Sequence, residues 1–182
     1  MGSLVVLQAV ALLASVTAAA TDWRIGRIPN WLTLPLVVVG LVVNAAARGS
    51  WGATESAAGL LLCAGVPWAA FRISGGRAIG GGDVKLFGAL GSLLGPMSGL
   101  EIELGALLLL LVFALVRLAF AGHLLRTMLG TLRLAAAPFS RKRIIAPTGA
   151  ELTSMRLGPA IAVAAFTSVA SMHLSGWLPW LL

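Results

Sequence analysis

The run Leu104-Gly105-Ala106-Leu107-Leu108-Leu109-Leu110-Leu111-Val112-Phe113-Ala114-Leu115-Val116 contains neither a charge nor a polar side chain. Its apolar residues follow one another without the alternation of a half-buried strand. With its flanks, the segment 102–121 reaches the ~20 residues a helix needs to cross ~30 Å of hydrocarbon. Comparable blocks lie on either side, at 3–21, 31–47, 55–72, 83–100 and 157–175. In lipid only helices and closed barrels satisfy their backbone groups, and these runs are too long and continuous for barrel strands. The sequence therefore predicts an all-α, polytopic membrane bundle of about six transmembrane helices, a single domain over residues 1–182.

Composition supports this reading. The 182 residues are 59% hydrophobic and 10% charged, with a mean hydropathy of +0.98. A water-facing domain carries about a quarter charged residues. Leu4 to Ala20 reads as a retained helix rather than a cleaved signal, because no basic residue precedes it. Cys63 is the only cysteine, which excludes a disulfide framework. His123 and His173 stand far apart without neighbouring ligands, so no metal and no cofactor are expected.

The net charge of +7 points to membrane topology and anionic lipid, not to nucleic acid, because the basic residues fall between apolar blocks. Of the 13 Lys and Arg, all but Arg48 lie in the first, third and fifth connections or their flanks. The positive-inside rule places those connections in the cytoplasm and both termini outside. Glu55, Glu101 and Glu103 then fall in short external connections as solvated acids. All six tryptophans, Trp23, Trp31, Trp51, Trp68, Trp177 and Trp180, fall near expected helix ends, where an amphipathic ring anchors at the headgroups. In the fifth connection, His123, Arg126, Thr127, Gly130 and Arg133 share one helical face opposite Leu124, Leu125, Met128, Leu129 and Leu132. That pattern predicts an amphipathic interfacial helix over 123–136, followed by a lipid-facing basic patch at Ser140–Arg143.

Asp22 and Asp83 differ from the other acids, because each abuts a long apolar run at the same expected face. Asp22 lies in Thr21-Asp22-Trp23-Arg24-Ile25-Gly26-Arg27-Ile28-Pro29-Asn30. A purely structural reading pairs it with Arg24 or Arg27, with Asn30 capping the second helix. Asp83 follows three glycines in Gly80-Gly81-Gly82-Asp83-Val84-Lys85. It reads structurally as a helix N-cap carboxylate; the spacing does not match a phosphate-cradling loop. Glycines also let an extended peptide approach the acid and pair with exposed backbone. Gly80, Gly81, Gly82 and Lys85 are accordingly candidate substrate-binding positions. Two carboxylates at one dielectric boundary can share a proton, one activating water and the other polarising a carbonyl. Gly91, Gly95 and Gly99 recur every four residues and predict one smooth face for close helix packing, with the Asp22 helix as a candidate neighbour.

Gly80-Gly81-Gly82-Asp83 resembles the Gly-x-Gly-Asp signature of the GxGD membrane aspartic proteases. Val84-Lys85-Leu86, the upstream Asp22…Ile28-Pro29-Asn30 and the late Leu157-Gly158-Pro159-Ala160-Ile161-Ala162 stretch are similar to the prepilin peptidase (type IV leader peptidase) branch. The resemblance implies that Asp22 and Asp83 are the catalytic pair. It also implies that a prepilin or pseudopilin loses a short basic leader at the cytoplasmic face of the inner membrane. Larger members carry a zinc-binding insertion with paired Cys-x-x-Cys motifs between the first two helices and methylate the new N-terminus. Here that connection is only Asp22 to Asn30, without cysteines, so the resemblance extends to the peptidase and not to methylation. The short form resembles the peptidases of Flp-type (tight adherence) pilus systems and the archaeal preflagellin peptidases, and Ile28-Pro29-Asn30-Trp31-Leu32-Thr33 favours the Flp-type branch. Two readings compete with it. A small transporter or channel would use the same acids as cation or proton sites near mid-bilayer. A scaffold would use them only as caps and ion-pair partners.

Overall fold

The computed structural model describes residues 2–76, 79–120 and 157–175. The expected interfacial helix at 123–136, the basic patch at 140–143, Glu151, Trp177 and Trp180 lie outside the described residues. All regular structure among the described residues is helical: α1 Gly2–Ile25, α2 Asn30–Ser74, α3 Gly81–Leu94, α4 Pro96–Phe120 and α5 Gly158–Ser175. Windows in α1, α2 and α4 are long and apolar enough to cross a membrane; α3, with 14 residues, and the apolar part of α5 are shorter.

The α2 element is a hairpin. A straight helix of its 45 residues would reach about 67 Å. Yet Asn30 at its start bonds Lys85, and the ring of Phe71 near its end lies 3.8 Å from where a Cβ on Gly81 would sit. Both ends therefore meet the start of α3. The reversal is at Gly49, whose φ of 63° and ψ of −145° suit glycine alone. The apolar blocks at 31–47 and 55–72 become its two arms. Their buried faces, Thr33, Leu36, Gly40 and Asn44 on one and Ser56, Gly59, Cys63 and Pro67 on the other, repeat at helical spacing.

These faces enclose α3, which is buried without interruption from Leu86 to Leu93. Gly40 of the first arm meets Ser92, and Gly59 of the second meets Gly91, each so closely that no Cβ fits. Small residues at a crossing let helix backbones approach in lipid. The neighbour of the glycine face is thus α2 and not the Asp22 helix. Gly95 also lies against the second arm, its carbonyl carbon 3.0 Å from where a Cβ on Gly59 would sit, but it does not continue the helix. It adopts φ 85° and separates α3 from α4, with Pro96 at the first position of the next helix.

The break at Gly95 corrects the expected boundary near Glu101. Glu101 and Glu103 lie inside α4, not in a solvated connection. Glu101 accepts a hydrogen bond from Ser168 Oγ of α5 at 3.2 Å. Glu103 is only 2% exposed, and its Oε2 has no hydrogen-bond partner among the described residues. Glu55 keeps a surface role in an ion pair with Arg48 beside the hairpin. Trp23, Trp31, Trp51 and Trp68 are exposed, Trp51 next to the reversal.

The end of α3 is closed by a side chain from α2. Asn44, 2% exposed, donates through Nδ2 to the carbonyls of Gly40 (2.9 Å), Ser92 (3.2 Å) and Leu93 (3.2 Å). It accepts from Arg48 Nη2 at 2.7 Å. Ser56 Oγ donates to the same Ser92 carbonyl at 2.7 Å. Carbonyls in a last helical turn have no intrahelical partner, and leaving them buried and unpaired costs roughly 1–3 kcal/mol. Asn44→Ala is expected to destabilise the protein by about that amount, read as a lowered midpoint of thermal unfolding in detergent micelles.

Candidate active site

On α1, the residues Leu7, Ala11, Ala14 and Ala18 form one buried stripe at helical spacing, and Asp22 is its next member. The carboxylate therefore enters the bundle on the face that packs against its neighbours, and Asp22 is only 8% exposed. One turn later Gly26 (φ 69°) stops the helix, its N–H bonding the Asp22 carbonyl at 2.9 Å. The Asp22 side chain does not turn to Arg24 or Arg27. One of its oxygens accepts the backbone N–H of Gly158, the first residue of α5, at 3.0 Å in a buried bond. That partner is 136 residues away in the chain.

Asp83 lies in the first turn of α3, outside the helices long and apolar enough to cross a membrane. Gly80 is the N-cap, and Asp83 sits three positions on, accepting the Gly80 N–H at 3.2 Å. The expected N-cap role thus belongs to Gly80, and the carboxylate supplies the reciprocal bond of a capping box. Burial lifts Asp83 from its ordinary 3.8 to about 6; the negative charge of Asp22 adds to the rise, and the Gly80 N–H opposes it. The two acids are therefore close enough to feel each other. In each, one oxygen is held by a glycine N–H at the start of a helix.

The remaining candidates separate. A Cβ on Gly82 would lie 3.0 Å from that of buried Ile28, so this glycine seats α3 on the α1–α2 connection. Gly80 and Gly81 are exposed. Lys85 Nζ donates to Asn30 Oδ1 at 2.8 Å, tying the same connection to α3. Asn30 is consequently not a cap: the N-cap of α2 is Pro29, and no side chain bonds there. Among the described residues no cluster of three His, Cys, Asp or Glu side chains forms a metal site.

The family model described as the type IV leader peptidase family matches residues 9–132, which include both aspartates, Gly80–Gly82 and Lys85. The chain belongs to the type IV leader peptidase family. It is also 35% identical over 98 residues to the Prepilin leader peptidase/N-methyltransferase of Klebsiella pneumoniae. That alignment covers 52% of this chain and 41% of the relative, so the chain spans less than half the length of the curated relative it matches. No solved structure matches it. The leader peptidase match ends before α5, so the Gly158 donor lies outside it. The sequence marks that position by a glycine before a proline at a helix start, within the late stretch that resembles the family. Nothing local relates it to Asp22.

Proposed function

We propose that this leader peptidase family member is a membrane-embedded aspartic endopeptidase that removes the leader from type IV prepilin-like proteins. The observation that carries the reading is the approach of Asp22 to Asp83, each anchored by one oxygen, in a chain of this family. Burial and the charge of Asp22 raise the proton affinity of Asp83, which suits it to act as the general acid, with Asp22 as the general base. Asp22 takes a proton from water as the hydroxide adds to the scissile carbonyl. Asp83 gives its proton to the carbonyl oxygen. As the tetrahedral adduct collapses, the proton on Asp22 passes to the leaving nitrogen, one hydroxyl proton of the adduct returns to Asp83, and the C–N bond breaks to leave a carboxylic acid and an amine. The exposed backbone of Gly80 and Gly81 gives an extended substrate an edge beside Asp83.

The basic residues of the first and third connections favour a cytoplasmic position for this end of the bundle, against anionic lipid of the inner membrane. Passage of α1, both arms of α2 and α4 through the bilayer, with α3 and α5 completing the bundle, accounts for the six apolar blocks. The short Asp22–Asn30 connection fits the Flp-type branch. Co-expression with a prepilin encoded in the same genome tests the function. The expected product is a shortened pilin whose new N-terminus, read by mass spectrometry, begins immediately after the basic leader. An uncut prepilin beside folded, membrane-inserted protein overturns the proposal.

A further inference from the structure

We propose that Gly158 is a positioning residue for the reaction, and that α5, beyond the family-matched region, is thereby part of the working site. The inference rests on the reading of Asp22 as the base. Asp22 and Asp83 each have one oxygen held by a glycine N–H, but the two bonds differ in kind. The Gly80 bond closes within three residues of Asp83 and comes with α3 itself. The Gly158 bond joins two separate helices and exists only when the start of α5 is docked on the last turn of α1.

The local chemistry suits that single task. The first N–H groups of a helix have no intrahelical acceptor and carry its positive end. At α5 the second position is Pro159, which has no N–H, and the Ile161 N–H is used by the Leu157 carbonyl at 3.0 Å. Gly158 points its N–H at Asp22 instead. A Cβ there would lie 2.8 Å from the Asp22 Cβ, 2.9 Å from the bonded oxygen and 3.2 Å from the Ala19 Cα. Only glycine lets the helix end come this close. Fixing one oxygen sets the rotation of the carboxyl and leaves the other oxygen for water. A carboxylate free to rotate would spend part of its time out of line, which lowers kcat more than substrate binding.

The donor can be deleted without adding an atom. Full-length protein made by cell-free translation into nanodiscs, with glycolic acid at position 158, carries an ester oxygen where the N–H was. A fluorogenic leader peptide then reports kcat and KM. The expected result is a fall in kcat of about ten- to a hundredfold, the range for losing a hydrogen bond to a charged group, with KM within about twofold. The melting temperature stays within a few degrees of the parent. Because the ester also weakens the Leu157 carbonyl as acceptor for Ile161, an ester at position 161 is the control, and it should keep kcat within about twofold.

Parent-like kcat in the 158 ester overturns the inference. Asp22→Asn run in parallel separates the failures: if it still cleaves, the assignment of the base is wrong; if it is inactive while the ester is not, only the role of Gly158 falls. Should the ester not fold, Gly158→Ala is the second variant. Its Cβ has no room beside Asp22 and Ala19 and must move the N–H off the carboxyl. The kcat is then expected to fall at least about tenfold with KM within about twofold, and parent-like kcat in the folded variant overturns the inference.

Discussion

Asp83→Asn is expected to lower cleavage by roughly 10³–10⁴-fold while making the protein more stable. Loss of the proton donor accounts for the first effect, at the upper end of what general acid–base catalysis supplies. Asp22→Asn should be equally damaging, since neither acid completes the proton transfers alone. The stability gain follows from the electrostatics. A carboxyl whose folded-state value is raised binds its proton more tightly in the folded protein than in the unfolded chain. Folding stability is then full at low pH and is lost as pH rises from the ordinary value through the folded one. For Asp83 the window runs from 3.8 to about 6, and the cost above it is about 3 kcal/mol. Asparagine keeps an oxygen for the Gly80 N–H and never ionises. Thermal unfolding in micelles should show parent and variant alike near pH 4, diverging towards pH 6 and separated by a constant gap above pH 7. Coincident melting curves at all pH values would show that Asp83 is not held in a penalised charged state. Stability withheld in this way is common where a site must work.

The second large effect belongs to the crossing of α2 and α3. A Cβ on Gly91 would overlap the Gly59 carbonyl and lie 2.7 Å from the Gly59 carbonyl carbon and 2.9 Å from the Cys63 Cβ. Backbone cannot rotate aside, so Gly91→Ala forces the helices apart along a face that is otherwise fully buried. The expected cost is about 3 kcal/mol or more, the upper range for overpacking. Because α3 carries Asp83, activity should fall with it. One turn earlier, a Cβ on Gly88 would meet the Ala64 Cβ at 3.0 Å, the end of the Leu60 side chain at 3.1 Å and the Leu60 carbonyl oxygen at 3.6 Å. The Leu60 side chain can rotate, and Ala64 needs to yield by only a fraction of an ångström, so Gly88→Ala should cost less than Gly91→Ala, about 1–2 kcal/mol. The comparison is made by fluorescence-detected size exclusion and melting temperature on the two variants. Equal behaviour would contradict the tight crossing.

Much of this architecture is legible in hydropathy, because each long apolar block must find an interior or lipid. The blocks near 3–21, 31–47, 55–72 and 157–175 correspond to α1, the arms of α2 and α5. The boundary between α3 and α4 was not legible. An averaged window responds to the two glutamates at 101 and 103, whereas the chain actually turns at Gly95 through a backbone angle that hydropathy does not register. Glu103 was misread for the same reason. Polarity suggested solvent, but its place on the inner face of α4 buries it. The paired aspartates were legible as a matter of address, both against apolar runs and one behind glycines. Their hydrogen-bond partners were not. Asn30 has the composition of a cap, yet it serves Lys85 across the bundle, and no local pattern relates Asp22 to Gly158. Contacts that span most of the chain leave no trace in spacing.

The Gly158–Asp22 bond also sets a clock. Ribosomes add about 5–20 residues per second, so the 136 residues from one position to the other take about 7 to 27 seconds to make. Through that interval Asp22 has already been synthesised without its backbone donor. Insertion can begin with α1, but this acid is completed only after α2, α3 and α4 exist to be packed around. A nascent chain is thus kept from acquiring a fully ordered pair of acids while it is still emerging beside other unfolded, apolar polypeptides.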